Sequence, residues 1–116
     1  MGFKQEFTFE QRKEEASRVL QKYSDRLPII CEKNSLASKD CPDIDKKKYL
    51  VPKDLTIGQF LYIVRKRMSI PSEKAIFLFI GNSMAPTSSI INDLYTLKSD
   101  KDGFLYITYS YENVFG

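Results

Sequence analysis

Apolar positions along this chain change period several times, and each change marks an element. Over residues 3–23 they recur at helical spacing: Phe3 and Phe7, then Ala16, Val19, Leu20 and Tyr23, with Glu and Lys/Arg between them. One N-terminal helix is expected there. It should end at Asp25-Arg26-Leu27-Pro28, because a residue before proline avoids helical backbone angles. Leu27, Ile29 and Cys31 then alternate with Pro28, Ile30 and Glu32, as in a strand. Pro28 and Ile30 place apolar groups on the nominally outer face, so something must cover or bind them. A polar loop over 34–45 leads to a second strand, Lys47–Pro52, where proline fits only an edge or a strand end.

Thr56-Ile57-Gly58-Gln59 spells a capping box, with Leu55 and Phe60 placed as a hydrophobic staple. The helix it opens carries one apolar stripe, Ile57, Leu61, Val64 and Met68, expected to face the core. A narrower second stripe, Phe60 and Ile63, needs another explanation. Ala75–Ile80 is nearly continuous in apolar residues, the pattern of a central strand buried on both sides. Ser88 or Ser89 is placed to cap a short helix through Asp93-Leu94-Tyr95, and Asp102-Gly103 is a turn signal before the alternating strand Phe104–Ser110. From the first strand onward the order is strand-strand-helix-strand-helix-strand. This is α+β, a ubiquitin-like β-grasp roll: a mixed four-stranded sheet crossed by a helix. Residues 1–23 form an N-terminal helical extension packed on that core, and 24–116 the ubiquitin-like domain with its C-terminal tail.

Composition narrows the chemistry. The 116 residues suit one domain able to bury its own core. Histidine is absent, which removes the commonest general base and the commonest metal ligand. The five glycines are too dispersed to cradle a phosphate, and Cys31 and Cys41 alone cannot complete a zinc site. Cys31 reads as a small core residue. No enzyme activity, metal or cofactor is expected. The charged N-terminus and the absence of a long apolar run point to a cytoplasmic protein.

The net charge of +3 is unevenly placed. Residues 46–67 hold Lys46, Lys47, Lys48, Lys53, Arg65, Lys66 and Arg67 against Asp54 alone, so this segment carries +6 and the remainder −3. Lysines discourage edge-to-edge aggregation, and cations suit a helix C-terminus. The same charges can also steer an acidic partner. A nucleic-acid surface is a third reading, disfavoured because the stacking-aromatic fingerprint of an RNA-binding sheet is missing. Arg12, Lys13, Arg18 and Lys22, set among Glu6, Glu10, Glu14 and Glu15, read as a solvated helix face.

Several blocks resemble one family. They are Tyr23-Ser24-Asp25-Arg26-Leu27-Pro28-Ile29-Ile30, Asp45-Lys46-Lys47-Lys48-Tyr49-Leu50-Val51-Pro52, Asp54-Leu55-Thr56-Ile57-Gly58-Gln59-Phe60, Ile63-Val64-Arg65-Lys66-Arg67, Pro86-Thr87-Ser88 and Phe104-Leu105-Tyr106-Ile107-Thr108-Tyr109-Ser110. They resemble the autophagy ubiquitin-like modifiers, the GABARAP and light-chain-three proteins, nearer the GABARAP branch. Two departures are a longer loop near Leu36–Pro42 and Gly103, where a bulkier residue is expected.

The resemblance implies a modifier conjugated through Gly116 to phosphatidylethanolamine on autophagosomal or related membranes. Activating and carrier enzymes and a cysteine protease would act on it. A residue without Cβ suits an extended tail threading a narrow catalytic channel, and the tail is expected to run straight out of the last strand. The resemblance further implies two hydrophobic pockets for receptors and adaptors carrying aromatic-x-x-aliphatic motifs. Glu15, Val19, Pro28, Ile30, Lys48, Leu50 and Phe104 resemble the first. Tyr49, Val51, Pro52, Leu55, Phe60, Ile63 and Val64 resemble the second, with Arg26, Lys46, Lys48 and Arg67 meeting acidic flanks. Such a motif adds a strand to the edge at 46–52, its two anchors about 10 Å apart at roughly 3.3 Å per residue. An unconjugated ubiquitin-like adaptor, binding the same peptides yet never lipidated, is the alternative.

Overall fold

A computed structural model describes residues 2–115. The chain runs α1 (Phe3–Glu6), α2 (Phe9–Lys22), β1 (Arg26–Lys33), β2 (Lys48–Pro52), α3 (Ile57–Met68), β3 (Phe77–Ile80), β4 (Ser83–Met84), α4 (Ile91–Lys98) and β5 (Leu105–Ser110). The expected single N-terminal helix is two. Thr8 breaks it: its hydroxyl accepts from the Gln11 N–H while the Gln11 side chain accepts from the Thr8 N–H, a full capping box that starts α2 afresh.

The sheet order is β2-β1-β5-β3-β4, with β1 and β5 parallel at the centre and the other pairs antiparallel. This is the mixed β-grasp sheet expected, with a fifth strand added. Gly81, at φ 61°, and Asn82 form the two-residue turn of a hairpin that pairs Ile80 with Ser83 and so adds β4. The run at 75–80 is interior to the sheet as expected, with Leu78 and Phe79 buried on opposite faces. Its paired part begins only at Phe77, and β3 lies between β5 and the two-residue β4. Ser88 and Ser89 do not cap α4. Ile90 occupies that position without a side-chain bond, and the Ser89 carbonyl instead accepts the Ile57 N–H at 2.9 Å, tying the starts of α3 and α4 together.

Both faces of the sheet are covered. Leu27, Ile29, Cys31, Tyr49, Val51, Leu105, Ile107 and Tyr109 pack with Ile57, Phe60 and Val64 of α3 into the main core. The core stripe of α3 is thus Ile57-Phe60-Val64, and Leu61 and Met68, expected in it, are only half-buried. On the other face Phe3, Ala16, Ile30 and Phe104 form a smaller core beside Tyr106. That explains the apolar outer face of β1: the N-terminal helices cover Ile30 completely.

Arg12 corrects another expectation. It is no solvated cation but nearly buried, its Nη1 2.6 Å from Asp102 Oδ2. The Tyr106 hydroxyl donates to the same carboxylate oxygen at 2.6 Å, and the Phe104 N–H donates to Asp102 Oδ1 at 2.8 Å. Burial of Tyr106 and its bond to Asp102 push its phenol above the usual range. The tail also departs from expectation. It turns back so that Phe115 packs edge-on against Phe79, ring centroids 5.3 Å apart. A large apolar ring gains more by covering Phe79 than by extending into water. Gly116 lies outside the described residues.

Candidate functional site

Among the described residues β2 pairs only with β1, so its outer backbone edge is open. Alternation along it aims side chains to opposite faces: Tyr49 and Val51 are buried, while Lys48, Leu50 and Pro52 are exposed or half-buried. A cavity opens on each side of the strand.

Glu15, Val19, Pro28, Lys46, Lys48, Tyr49, Leu50 and Phe104 line the first, of about 230 Å³. The structure thus brings together six of the seven residues matched to pocket one. Ile30 lies under Phe3 and Ala16 with no exposed surface and packs as part of the floor beneath. Lys48 Nζ stands 2.6 Å from Glu15 Oε2, joining α2 to β2 across the cavity.

The second cavity, of about 650 Å³, is lined by Asp45, Lys46, Tyr49, Tyr62, Ile63, Lys66 and Arg67. Of the residues matched to pocket two, Tyr49 and Ile63 reach it. Val51, Phe60 and Val64 are core residues, because β2 alternation and the inner stripe of α3 turn them away from solvent. Phe60 supports the site from below, its ring edge-on to Tyr49 at 5.4 Å. Pro52 is exposed and Leu55 half-buried, and neither lines this cavity. Burial pushes the Tyr49 phenol up to about 12, and its hydroxyl is the one buried side-chain polar atom without a hydrogen-bond partner among the described residues.

Sequence reasoning missed Asp45 and Tyr62 here and read Lys66 only as one of the steering cations. Tyr62 and Lys66 lie one helical turn apart with Lys66 Nζ 5.5 Å from the Tyr62 ring centroid, and an exposed aromatic outside both apolar stripes was the available signal. Among the cations matched to acidic flanks, Lys46 lies between the two cavities, its Nζ 5.0 Å from the Tyr49 ring centroid. Arg67 binds Asp45 through two parallel bonds, Nε to Oδ1 at 2.9 Å and Nη2 to Oδ2 at 3.0 Å. These hold the Asp45 carboxyl below the usual carboxylate range. Arg26 stands apart, opposite Pro52 at the far end of β2.

Gly103, beside Phe104, takes φ 97°, and a Cβ there would come 2.9 Å from the Ala16 Cβ. The bulkier residue expected at this position would strain the turn and push α2 off the sheet.

A family model for "Autophagy protein Atg8 ubiquitin like" matches residues 11–116. The chain belongs to the Atg8 family. Autophagy-related protein 8 of Kluyveromyces lactis is 54% identical over 115 residues, covering 99% of this chain and 91% of that protein. The Saccharomyces cerevisiae protein of that name is 52% identical over 114 residues, covering 98% and 96%. Among solved structures, Trypanosoma brucei ATG8 superposes with a TM-score of 0.89 at 42% identity, covering 95% of this chain and 93% of that one. Plasmodium falciparum Atg8 in complex with a Plasmodium falciparum Atg3 peptide superposes with a TM-score of 0.87 at 32% identity, covering 97% of both. These relatives fix the family rather than a branch within it. The chain is an autophagy-related ubiquitin-like protein.

Proposed function

We propose that this Atg8-family chain is a conjugated modifier whose β2 edge is a peptide dock. Gly116 is the residue joined to phosphatidylethanolamine, by enzymes that act on the chain as substrate; the chain itself is a carrier and performs no catalysis. The Plasmodium relative bound to an Atg3 peptide supports a carrier enzyme of that kind as a partner. The two acyl chains then hold the protein on autophagosomal or related membranes, and the unconjugated form is cytoplasmic.

The observation carrying the docking reading is the open β2 edge with a cavity on each side. A bound segment extends the sheet through backbone hydrogen bonds, its aromatic residue entering the cavity of Val19, Leu50 and Phe104 and its aliphatic residue the cavity of Tyr49 and Ile63. Lys46, Lys48 and Arg67 draw in acidic flanks, and Arg26 extends the positive potential along the strand. Receptors and adaptors with aromatic-x-x-aliphatic motifs are the partners, and nucleic acid is not.

Reconstituted activation and transfer onto liposomes containing phosphatidylethanolamine tests the conjugation. A mass increase on Gly116, abolished by Gly116→Ala, is expected. No increase, or an equal one in the variant, refutes it. For the dock, Leu50→Ala should weaken binding of an aromatic-x-x-aliphatic peptide without altering the fold, and unchanged affinity refutes that part.

A further inference from the structure

The docking surface is not simply a set of waiting cations. In the free chain the fork of Arg67 is already filled by Asp45, and both partners are well exposed, at 46% and 71% of their side-chain surface. The pair stands in the wall of the cavity proposed above for the aliphatic anchor. A carboxylate arriving beside that anchor must therefore exchange with a carboxylate already in place. The exchange leaves the number of arginine–carboxylate pairs unchanged, and it brings the displaced Asp45 against the ligand's own negative charge. A neutral motif meets neither cost, since the Asp45–Arg67 pair stays closed beside it.

We propose that Asp45 is a resident competitor for Arg67, a specificity-determining residue that damps the preference of this dock for acidic motifs. The inference rests on the docking reading. Asp45 opposes the general pull of the +6 segment at one place, next to the second cavity. The basic edge then attracts acidic partners from a distance while giving little extra affinity to a carboxylate at that position.

Calorimetric titration with two peptides sharing one aromatic-x-x-aliphatic motif tests this, one with Glu and one with Gln after the aliphatic residue. The proteins are the wild type, Asp45→Asn, Asp54→Asn and the double variant Asp45→Asn/Arg67→Ala. Asp54 is exposed and lines neither cavity, so its replacement makes the same change in net charge elsewhere. Asp45→Asn should tighten the Glu peptide about two- to five-fold, the range of an exposed ion pair, and change the Gln peptide by less. The gain should vanish with Arg67→Ala, and Asp54→Asn should give less. Equal gains for both peptides, no gain for the Glu peptide, or an equal gain from Asp54→Asn overturns the inference while wild-type binding keeps the dock. If the wild type binds neither peptide, the dock and the inference fall together. Asp45 is exposed, so the variant keeps its fold, and an unchanged circular dichroism spectrum confirms it.

Discussion

Arg12 and Asp102 are 90 positions apart in the chain and meet at 2.6 Å beneath the N-terminal helices. Removing the guanidinium would leave a fully buried carboxylate with only the Tyr106 hydroxyl and the Phe104 N–H as donors. Arg12→Ala should cost about 3 kcal/mol in chemical denaturation, the scale for breaking rather than replacing a buried ion pair. Gly103→Ala should cost about 1–3 kcal/mol, because φ 97° disfavours any side chain and the new methyl would meet Ala16. A carboxylate of the same turn sets a pH response. Burial alone would raise Asp100, but the hydrogen bond from Lys4 and the backbone N–H of Asp102 outweigh it and hold the group below its usual range. A depressed carboxylate stabilises the fold above its unfolded value and loses that contribution as pH falls. Amide exchange over residues 3–7 should therefore quicken as pH drops below about 4, after correction for intrinsic rates, and Lys4→Ala should remove the effect.

At the scale of elements, the same signal occurs twice and was legible once. Thr56-Ile57-Gly58-Gln59 stands out because Pro52 and polar residues precede it, and the box forms as read. Thr8-Phe9-Glu10-Gln11 is its counterpart, yet the helical spacing of Phe3 and Phe7 runs up to it and hides the break. Periodicity reports which residues share a face, not where backbone bonding restarts. Thr56→Ala should cost about 1 kcal/mol by loss of the cap, measurable as a fall in the denaturation midpoint with unchanged slope. β4 was hidden for another reason. Gly81-Asn82 is a hairpin signal, but its second strand is only two residues long and has no alternation to read.

For the whole molecule, the central fact is a sheet covered on both faces whose β2 edge stays open beside two cavities. The N-terminal helices supply the second cover and, with it, one wall of a cavity: Glu15 and Val19 of α2 face Leu50 of β2 and Phe104. Phe3→Ala should loosen this cover, since Phe3 is 3% exposed and stacks edge-on with Phe104 at 5.3 Å. Binding of an aromatic-x-x-aliphatic peptide should then weaken while the main core under α3 keeps its protection from amide exchange. Equal loss of protection in β1 and β5 would instead make the two covers one cooperative unit.

Sequence alone determined the β-grasp order, the α3 cap and the position of the basic edge, because each rests on neighbouring residues or on a short period. It also carried the family, through contiguous blocks. Tertiary structure decided which apolar residues line a cavity and which support it. Ile30, Val51, Phe60 and Val64 read like pocket residues, yet each is covered by an element distant in sequence or turned inward by its own. It also decided the state of the charges. Arg12 reads like its solvated neighbours and Arg67 like a free cation, but Asp102 and Asp45 meet them only once the chain has closed on itself. Pairing across 90 and 22 positions leaves no local period to read.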